Sequence, residues 1–285
     1  MVKLILFSKD RAAQLDAHLQ SVFANDNRLF FSIDVIYTAS NEEFERGYDI
    51  LRENWEDPLT PLKFHRENEF RIDLLDILDN STDEFVCFGV DDNIIYKEVP
   101  LDQWDVLNCL GHEGAACLSL RLGQNTSMQC LYTNQFAQMP EWTYGVGGHK
   151  TEILAWNWRK MPPHQNFGYP FSLDYHIFDT KKIFNIMKDC RFSNPNSLEC
   201  ALQGQKAKLG DVMYCLPEST VVNLPLNRVQ NVCENNFGKF HGISEAELND
   251  LFLNGQKISL EDMDFNGVIC THQEFPLAIK SCSAS

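Results

Sequence analysis

Hydrophobic positions in the first hundred residues alternate between two periods. Val2-Lys3-Leu4-Ile5-Leu6-Phe7 is a short apolar run that stops at Ser8-Lys9-Asp10-Arg11, and it reads as a first strand. Arg11 to Phe23 then places Leu15, Leu19, Val22 and Phe23 on one face at helical spacing. Ile33 to Thr38 is β-branched and strand-like, and Glu42 to Trp55 is a helix with Phe44, Tyr48 and Leu51 inward, stopping before Pro58. Leu62 to His65 makes a third strand, and Arg71 to Leu78 a third helix with Ile72, Leu75 and Leu78 inward. Glu84 to Val90 is almost continuously apolar, as strands covered on both faces of a parallel sheet are. Repeated strand-helix units of this kind predict an α/β protein with a doubly wound, Rossmann-like, mostly parallel half. Ligands of such a half gather at the carboxyl ends of its strands.

From about Leu101 the pattern becomes mixed α+β. Leu118-Ser119-Leu120-Arg121-Leu122 alternates like a half-buried strand, as does part of Ile153 to Trp158. Between them, Met128 to Lys150 is rich in Gln, Tyr and Gly and ends Tyr144-Gly145-Val146-Gly147-Gly148-His149. That stretch is a mobile lid, an acceptor loop or an inert connection; with no strand leading into it and no helix following, it is not a phosphate loop. Asn196 or Ser197 serves as a helix N-cap, which puts Glu199 in a first turn, where stabilising the helix dipole alone would account for it. Glu245 to Leu253 is a short amphipathic helix that packs the tail onto the body. The expected organisation is one unit with three parts: residues 1–100, 101–225 and 226–285.

Composition narrows the class. A chain of 285 residues, 44% hydrophobic and 12% aromatic, buries a substantial core and is not disordered. No apolar stretch approaches the roughly 18 residues of a membrane helix, and the amino-terminal run is too short for a signal peptide. A soluble, cytoplasmic protein is therefore expected, with peripheral membrane contact left open. The ten cysteines include no Cys-x-x-Cys pair and several lie in apolar runs, as Cys87 does, so reduced core thiols are expected. A net charge of −16 without a basic stripe argues against nucleic acid as a partner. It does not exclude a nucleotide, whose diphosphate a metal and local basic groups can neutralise.

Chemistry concentrates at Asp91-Asp92-Asn93, directly after the apolar Glu84–Val90 strand. Two carboxylates and an amide at a sheet edge suit magnesium or manganese, although Asp and Asn also favour ordinary solvated turns. The stretch Phe85 to Tyr96 resembles the strand and DxD-type motif of GT-A glycosyltransferases, family 2-like enzymes above all, with Asp-Asp-Asn as the variant. Phe7-Ser8-Lys9-Asp10-Arg11, with Gln14-Leu15 and Leu19-Gln20-Ser21-Val22, is similar to that family's first strand and helix.

The resemblance implies transfer of a sugar from a nucleotide-sugar, UDP-sugar favoured, to a saccharide or other hydroxyl acceptor, with Mn2+ or Mg2+ and inversion. It places Ser8 and Arg11 near the nucleotide, Asp91 near the ribose or sugar, and Asp92 on the metal, with Asn93 sharing in it. Arg71 and Asp73 lie in the helix before the motif, where such enzymes put donor contacts; surface charge is the plain alternative. Glu199 stands where the family has its general base, and Asp174 is its rival or a donor-sugar contact. His241 or His272 would add a metal or diphosphate ligand from the tail, and Arg228 a phosphate clamp. Among Trp142, Tyr144, Trp156, Trp158 and Tyr169, one or two rings would stack on the acceptor, while core packing is the default for each.

Two other classes stay open. A nucleotidyltransferase shares the α/β core, but the Gly-rich amino-terminal signature usual there is missing after the first strand. A catalytically inactive carbohydrate-binding module would use the aromatics without the carboxylates. A Ser/His/Asp hydrolase is disfavoured, since no Gly-x-Ser-x-Gly elbow is present.

Overall fold

The alternation of the first hundred residues becomes β1 (Val2–Lys9), α1 (Ala12–Asn25), β2 (Phe30–Thr38), α2 (Glu42–Asn54), β3 (Leu62–Arg66), α3 (Phe70–Asp79) and β4 (Phe85–Val90). The structure, a computed structural model, describes residues 1–56, 60–144, 151–227 and 242–281. Strands β3, β2, β1 and β4 lie side by side and all pair in parallel, so the expected parallel half is present.

The chain continues through β5 (Asn93–Ile95), α4 (Gln103–Leu110), β6 (Ala115–Ser119), β7 (Met128–Cys130), β8 (Gln135–Phe136), β9 (Thr143–Tyr144) and β10 (Leu154–Asn157). Then come β11 (His176–Asp179), α5 (Thr180–Met187), α6 (Pro195–Gln203), β12 (Val212–Cys215), β13 (Val221–Asn223), α7 (Glu245–Leu253), β14 (Gln256–Ile258) and β15 (Ile279–Ser281). The large sheet has the order β3-β2-β1-β4-β11-β6-β12-β10-β9. Beyond β4 it is mixed: β11 runs antiparallel to both β4 and β6, while β12 is parallel to β6. β13 pairs antiparallel with β5 and so brings a later stretch of chain back beside Asp92.

Apolar side chains cover both faces of the sheet. α1, α2, α4 and α7 contribute to one core, with Leu15, Leu19, Tyr48, Val106 and Phe252, and α3, α5 and α6 to the other, with Phe70, Leu74, Ile183 and Leu198. In α3 the buried stripe is Phe70, Leu74 and Leu78, whereas Ile72 is exposed and Leu75 only partly buried. Phe70, one position ahead of the expected helix start, sets an i, i+4, i+8 stripe that turns Ile72 to solvent. The stretch at 118–122 also differs from its expected half-buried alternation: β6 lies between β11 and β12 and is buried throughout, and Arg121 beyond it is buried too. Cys87, Cys109, Cys117, Cys190, Cys215 and Cys270 are buried thiols. No helix among the described residues is long and apolar enough to cross a membrane.

Candidate active site

The site begins where β1 and β4 end. After β1, Asp10 adopts a left-handed φ of +56°; its amide donates to the Thr38 carbonyl at 3.0 Å and its Oδ1 accepts from the Ser40 amide at 2.6 Å. That turn sets Arg11 against the end of β4. Arg11 Nη1 donates to Asp91 Oδ1 at 2.9 Å and lies 3.6 Å from Asp92 Oδ2, while Nε donates to Asn227 Oδ1 at 2.8 Å. Asp91 Oδ2 accepts from the Lys9 amide at 3.1 Å, so both oxygens of this carboxylate are engaged. Ser8 is buried, its hydroxyl 2.6 Å from the Tyr48 hydroxyl.

A second layer comes from the carboxyl-terminal half. Asn223, at the end of β13, donates from one Nδ2 to Asp92 Oδ1 at 3.1 Å and to Asp174 Oδ1 at 3.0 Å, tying the two carboxylates together. Arg121 Nη1 donates to Asp174 Oδ2 and, at 2.9 Å, to Ser172 Oγ; its Nη2 lies 3.3 Å from His272 Nδ1. Glu199 Oε2 accepts from the Leu173 amide at 3.2 Å, and the Tyr169 hydroxyl bonds the same carboxylate. Asp92, Asp174, Glu199 and His272 thus form one cluster, each partly open to solvent, with the more deeply buried Arg11 and Arg121 beside it.

Crowding separates the carboxylates. Burial raises Asp92, and the neighbouring Asp91 and Asp174 charges add to the rise, against the opposing pull of Arg11, leaving its pKa at about 7. Glu199 is likewise raised to about 7, by burial first and then by Asp174. For Asp174 burial also acts upward, but Arg121 and His272 outweigh it and bring the pKa down to about 2. Arg121 thus favours the ionised form of Asp174, while burial and neighbouring negative charge favour the protonated forms of Asp92 and Glu199.

Several expected site residues are placed differently. Asn93 turns inward: it is buried, and its Oδ1 accepts from the Val90 amide at 2.7 Å, so that oxygen is not offered to a metal beside Asp92. Arg71 holds the end of α5, donating to the carbonyls of Cys190 at 3.0 Å and Lys188 at 2.7 Å. Asp73 Oδ2 accepts from the amides of Asn68 and Glu69 at 2.8 and 3.1 Å and so caps the start of α3. Among the described residues no hydrogen bond or ion pair joins either to the carboxylate cluster. Glu199 is the fifth residue of α6, because Asn194, boxed with Ser197, is the cap and Pro195 the first helical residue. Trp156 and Trp158 are core residues whose indole N–H groups donate to the carbonyls of Phe167 and Gly210. Trp142 packs edge-on against Trp156 at 5.4 Å. Arg228 and His241 lie outside the described residues, as does the Gly145-Val146-Gly147-Gly148 stretch.

Arg121, Asn223 and Asn227 were not legible as site residues. Arg121 carries a usable signal, since a buried arginine flanked by leucines must find a carboxylate.

A divalent cation can be tested against these side chains. Among the described residues no three His, Cys, Asp or Glu side chains are grouped to hold one. Arg11 and Arg121 are each committed to a carboxylate, so a diphosphate arriving here would meet surplus negative charge unless a cation accompanied it. Asp92 offers a hard oxygen donor and would hold such an ion. His272 would join only through Nε2, and that requires a proton on Nδ1, which now faces the donor-only guanidinium of Arg121. The donor set fits a cation brought by the nucleotide rather than one caged by protein.

No protein-family model matches the chain. Over 264 residues it is 27% identical to the bifunctional glycosyltransferase pgtA of Dictyostelium discoideum, an alignment covering 82% of this chain and 33% of that protein. The chain is similar to a glycosyltransferase. It spans about a third of that relative's length. Among solved structures it aligns with S. aureus TarS 1-349 in complex with UDP at 14% identity and a TM-score of 0.46, covering 77% of this chain and 59% of that one. It also aligns with the bifunctional glycosyltransferase WbbM at 11% identity and a TM-score of 0.37, covering 76% and 38%. At TM-scores this low neither structural likeness bears on activity.

Proposed function

We propose that this chain is a glycosyltransferase of the GT-A kind that moves a sugar from a nucleoside-diphosphate donor to a hydroxyl acceptor, with Glu199 as general base. The observation that carries the reading is the arrangement of three carboxylates: Asp92 and Asp174 share the Asn223 amide, Asp174 is ion-paired with Arg121, and Glu199, bonded by the Leu173 amide, stands close enough to Asp174 for burial and that charge to push its pKa up. A base must be able to take a proton at working pH, and Glu199 can, whereas Asp174, clamped between Arg121 and Asn223, is too weak a base. The similarity to a glycosyltransferase over most of the chain supports the same reaction class.

In this reading the acceptor hydroxyl lies against Glu199, beside Tyr169. Glu199 takes its proton as the oxygen attacks the anomeric carbon, and the bond from that carbon to the diphosphate breaks on the opposite face, so configuration inverts. Arg11, set by Asp91 and Asn227, orders the donor edge, and Asp174 faces the donor sugar. A nucleotide-borne Mn2+ or Mg2+ held by Asp92 would neutralise the departing diphosphate. UDP is the first nucleotide to try.

The test is a thermal-shift panel of UDP, GDP, dTDP and CMP with and without manganese, followed by transfer assays with the corresponding sugars. Stabilisation by one nucleoside diphosphate, lost in Asp92→Ala, supports the donor site. No shift with any nucleotide refutes it and favours a carbohydrate-binding module.

A further inference from the structure

Tyr175 directly follows Asp174 and is out of the ordinary in three ways. Its φ is +56°, in the left-handed region that bulky side chains avoid. Its ring is nonetheless completely buried, edge-on to Phe30 at 6.0 Å, and its hydroxyl lies 2.5 Å from Nε2 of His18, itself completely buried in α1. Both its backbone groups are bonded into the sheet: its amide donates to the Phe88 carbonyl at 2.7 Å, and its carbonyl accepts from the Leu120 amide at 2.9 Å.

Gly89 makes room for the ring. A Cβ there would stand 2.9 Å from Tyr175 Cε2 and 3.3 Å from Asn93 Oδ1. The left-handed residue thereby sends consecutive side chains to different places, Tyr175 into the core beside α1 and Asp174 against Arg121 and Asn223.

We propose that Tyr175 is a positioning residue for Asp174: clamped by His18 and admitted by Gly89, it holds the turn that delivers the Asp174 carboxylate to Arg121 and Asn223. This rests on the transferase reading given above. Tyr175 does not touch substrate in this account and acts only through its neighbour. Cutting the His18 contact frees the ring, lets the left-handed residue relax, and moves Asp174 relative to Arg121.

The test compares wild type, Tyr175→Phe, His18→Leu and the double variant in the full chain. Unfolding temperature, the UDP-induced thermal shift, and kcat and KM for the donor are measured for each. Each single variant strands one buried polar group, and the double variant removes both, so stability returns in the double. A positioning role predicts kcat lowered about 10- to 100-fold in Tyr175→Phe and in the double variant alike, since small displacements at a reacting centre cost that much. Donor KM and the UDP shift stay within about twofold. Activity that recovers together with stability in the double variant, or an unchanged kcat in any folded variant, overturns the proposal and leaves the transferase reading intact. If Tyr175→Phe does not fold, His18→Leu alone decides by the same kcat criterion. Absence of transfer and of nucleotide binding in wild type removes both the transferase reading and this inference.

Discussion

Replacing Glu199 with Gln should make the protein more stable and less active, in proportions the site geometry sets. The Glu199 pKa rises from 4.5 to about 7, and a shift of that size means the ionised form is disfavoured in the folded state by about 3 kcal/mol. The side chain is partly open to solvent, so screening reduces the recoverable amount to about 1–2 kcal/mol. Gln keeps an acceptor for the Leu173 amide and the Tyr169 hydroxyl while removing the charge that faces Asp174. The sign follows from proton counting: between about pH 4.5 and 7 the folded wild type binds more protons at this site than the unfolded chain, so its stability falls as pH rises through that window. Glu199→Gln lacks this slope. Its advantage should be near zero at about pH 4 and reach its full value above about pH 7.5, where it amounts to a Tm gain of roughly 2–8 °C for a chain of this size. In transfer assays the same variant should lose about 100-fold or more in kcat, the usual worth of a general base. Thermal unfolding at stepped pH reads the first effect. A Tm gain of equal size at pH 4 and pH 8 would show that charge is not its cause, and retained activity would remove Glu199 from the role of base.

Manganese should be retained by the protein only when UDP is present, because Asp92 alone is a poor anchor; electron paramagnetic resonance of free Mn2+ reads this directly, and Asp92→Asn should abolish retention. Retention without nucleotide would mean that more protein ligands converge than this geometry provides. Arg11→Met should destabilise by about 3 kcal/mol, since Asp91 is left buried beside only a backbone amide, and urea unfolding should show it as a lower midpoint. Asp174 works oppositely to Glu199. Its lowered pKa of about 2 contributes stability that is present above about pH 4 and fades as pH falls towards 2, so Asp174→Asn should lower Tm at pH 7 and flatten the acid limb of the stability curve. An unchanged acid limb in that variant would show that the Arg121–Asp174 pair does not carry the acid sensitivity.

Local periodicity explains why the amino-terminal half could be read from sequence and the rest of the site could not. A strand covered on both faces announces itself as an apolar run, and Asp91-Asp92 can follow such a run only at its carboxyl end, so both the parallel half and the edge position of the carboxylates were legible. The pairing of Asp92 with Asn223 depends instead on β13 returning beside β5 across 131 positions, and no periodicity encodes that return. Arg121 shows the cost of reading one strand at a time. Leu118-Ser119-Leu120-Arg121-Leu122 has the alternation of a half-exposed strand, yet β6 lies inside the sheet and the apparent solvent face is buried, with Arg121 paired to Asp174. The family resemblance singles out Glu199 by its place relative to the acidic motif, and the helix cap lies at Asn194, two or three positions before the expected Asn196 or Ser197. The cap matters less than the contacts, because raised basicity comes from burial and from Asp174, not from the helix start. The expectations that lapsed, Asn93 towards a metal and Arg71 and Asp73 towards a donor, share one cause. In each, the group expected to bind is already engaged by backbone: the Asn93 amide oxygen by the Val90 amide, the Arg71 guanidinium by the Cys190 and Lys188 carbonyls, and Asp73 Oδ2 by the Asn68 and Glu69 amides. A polar group near a strand end therefore becomes a credible site residue only when the backbone around it leaves it something to bind. Asp92, Asp174 and Glu199 meet that condition, each with a carboxylate still reachable from solvent.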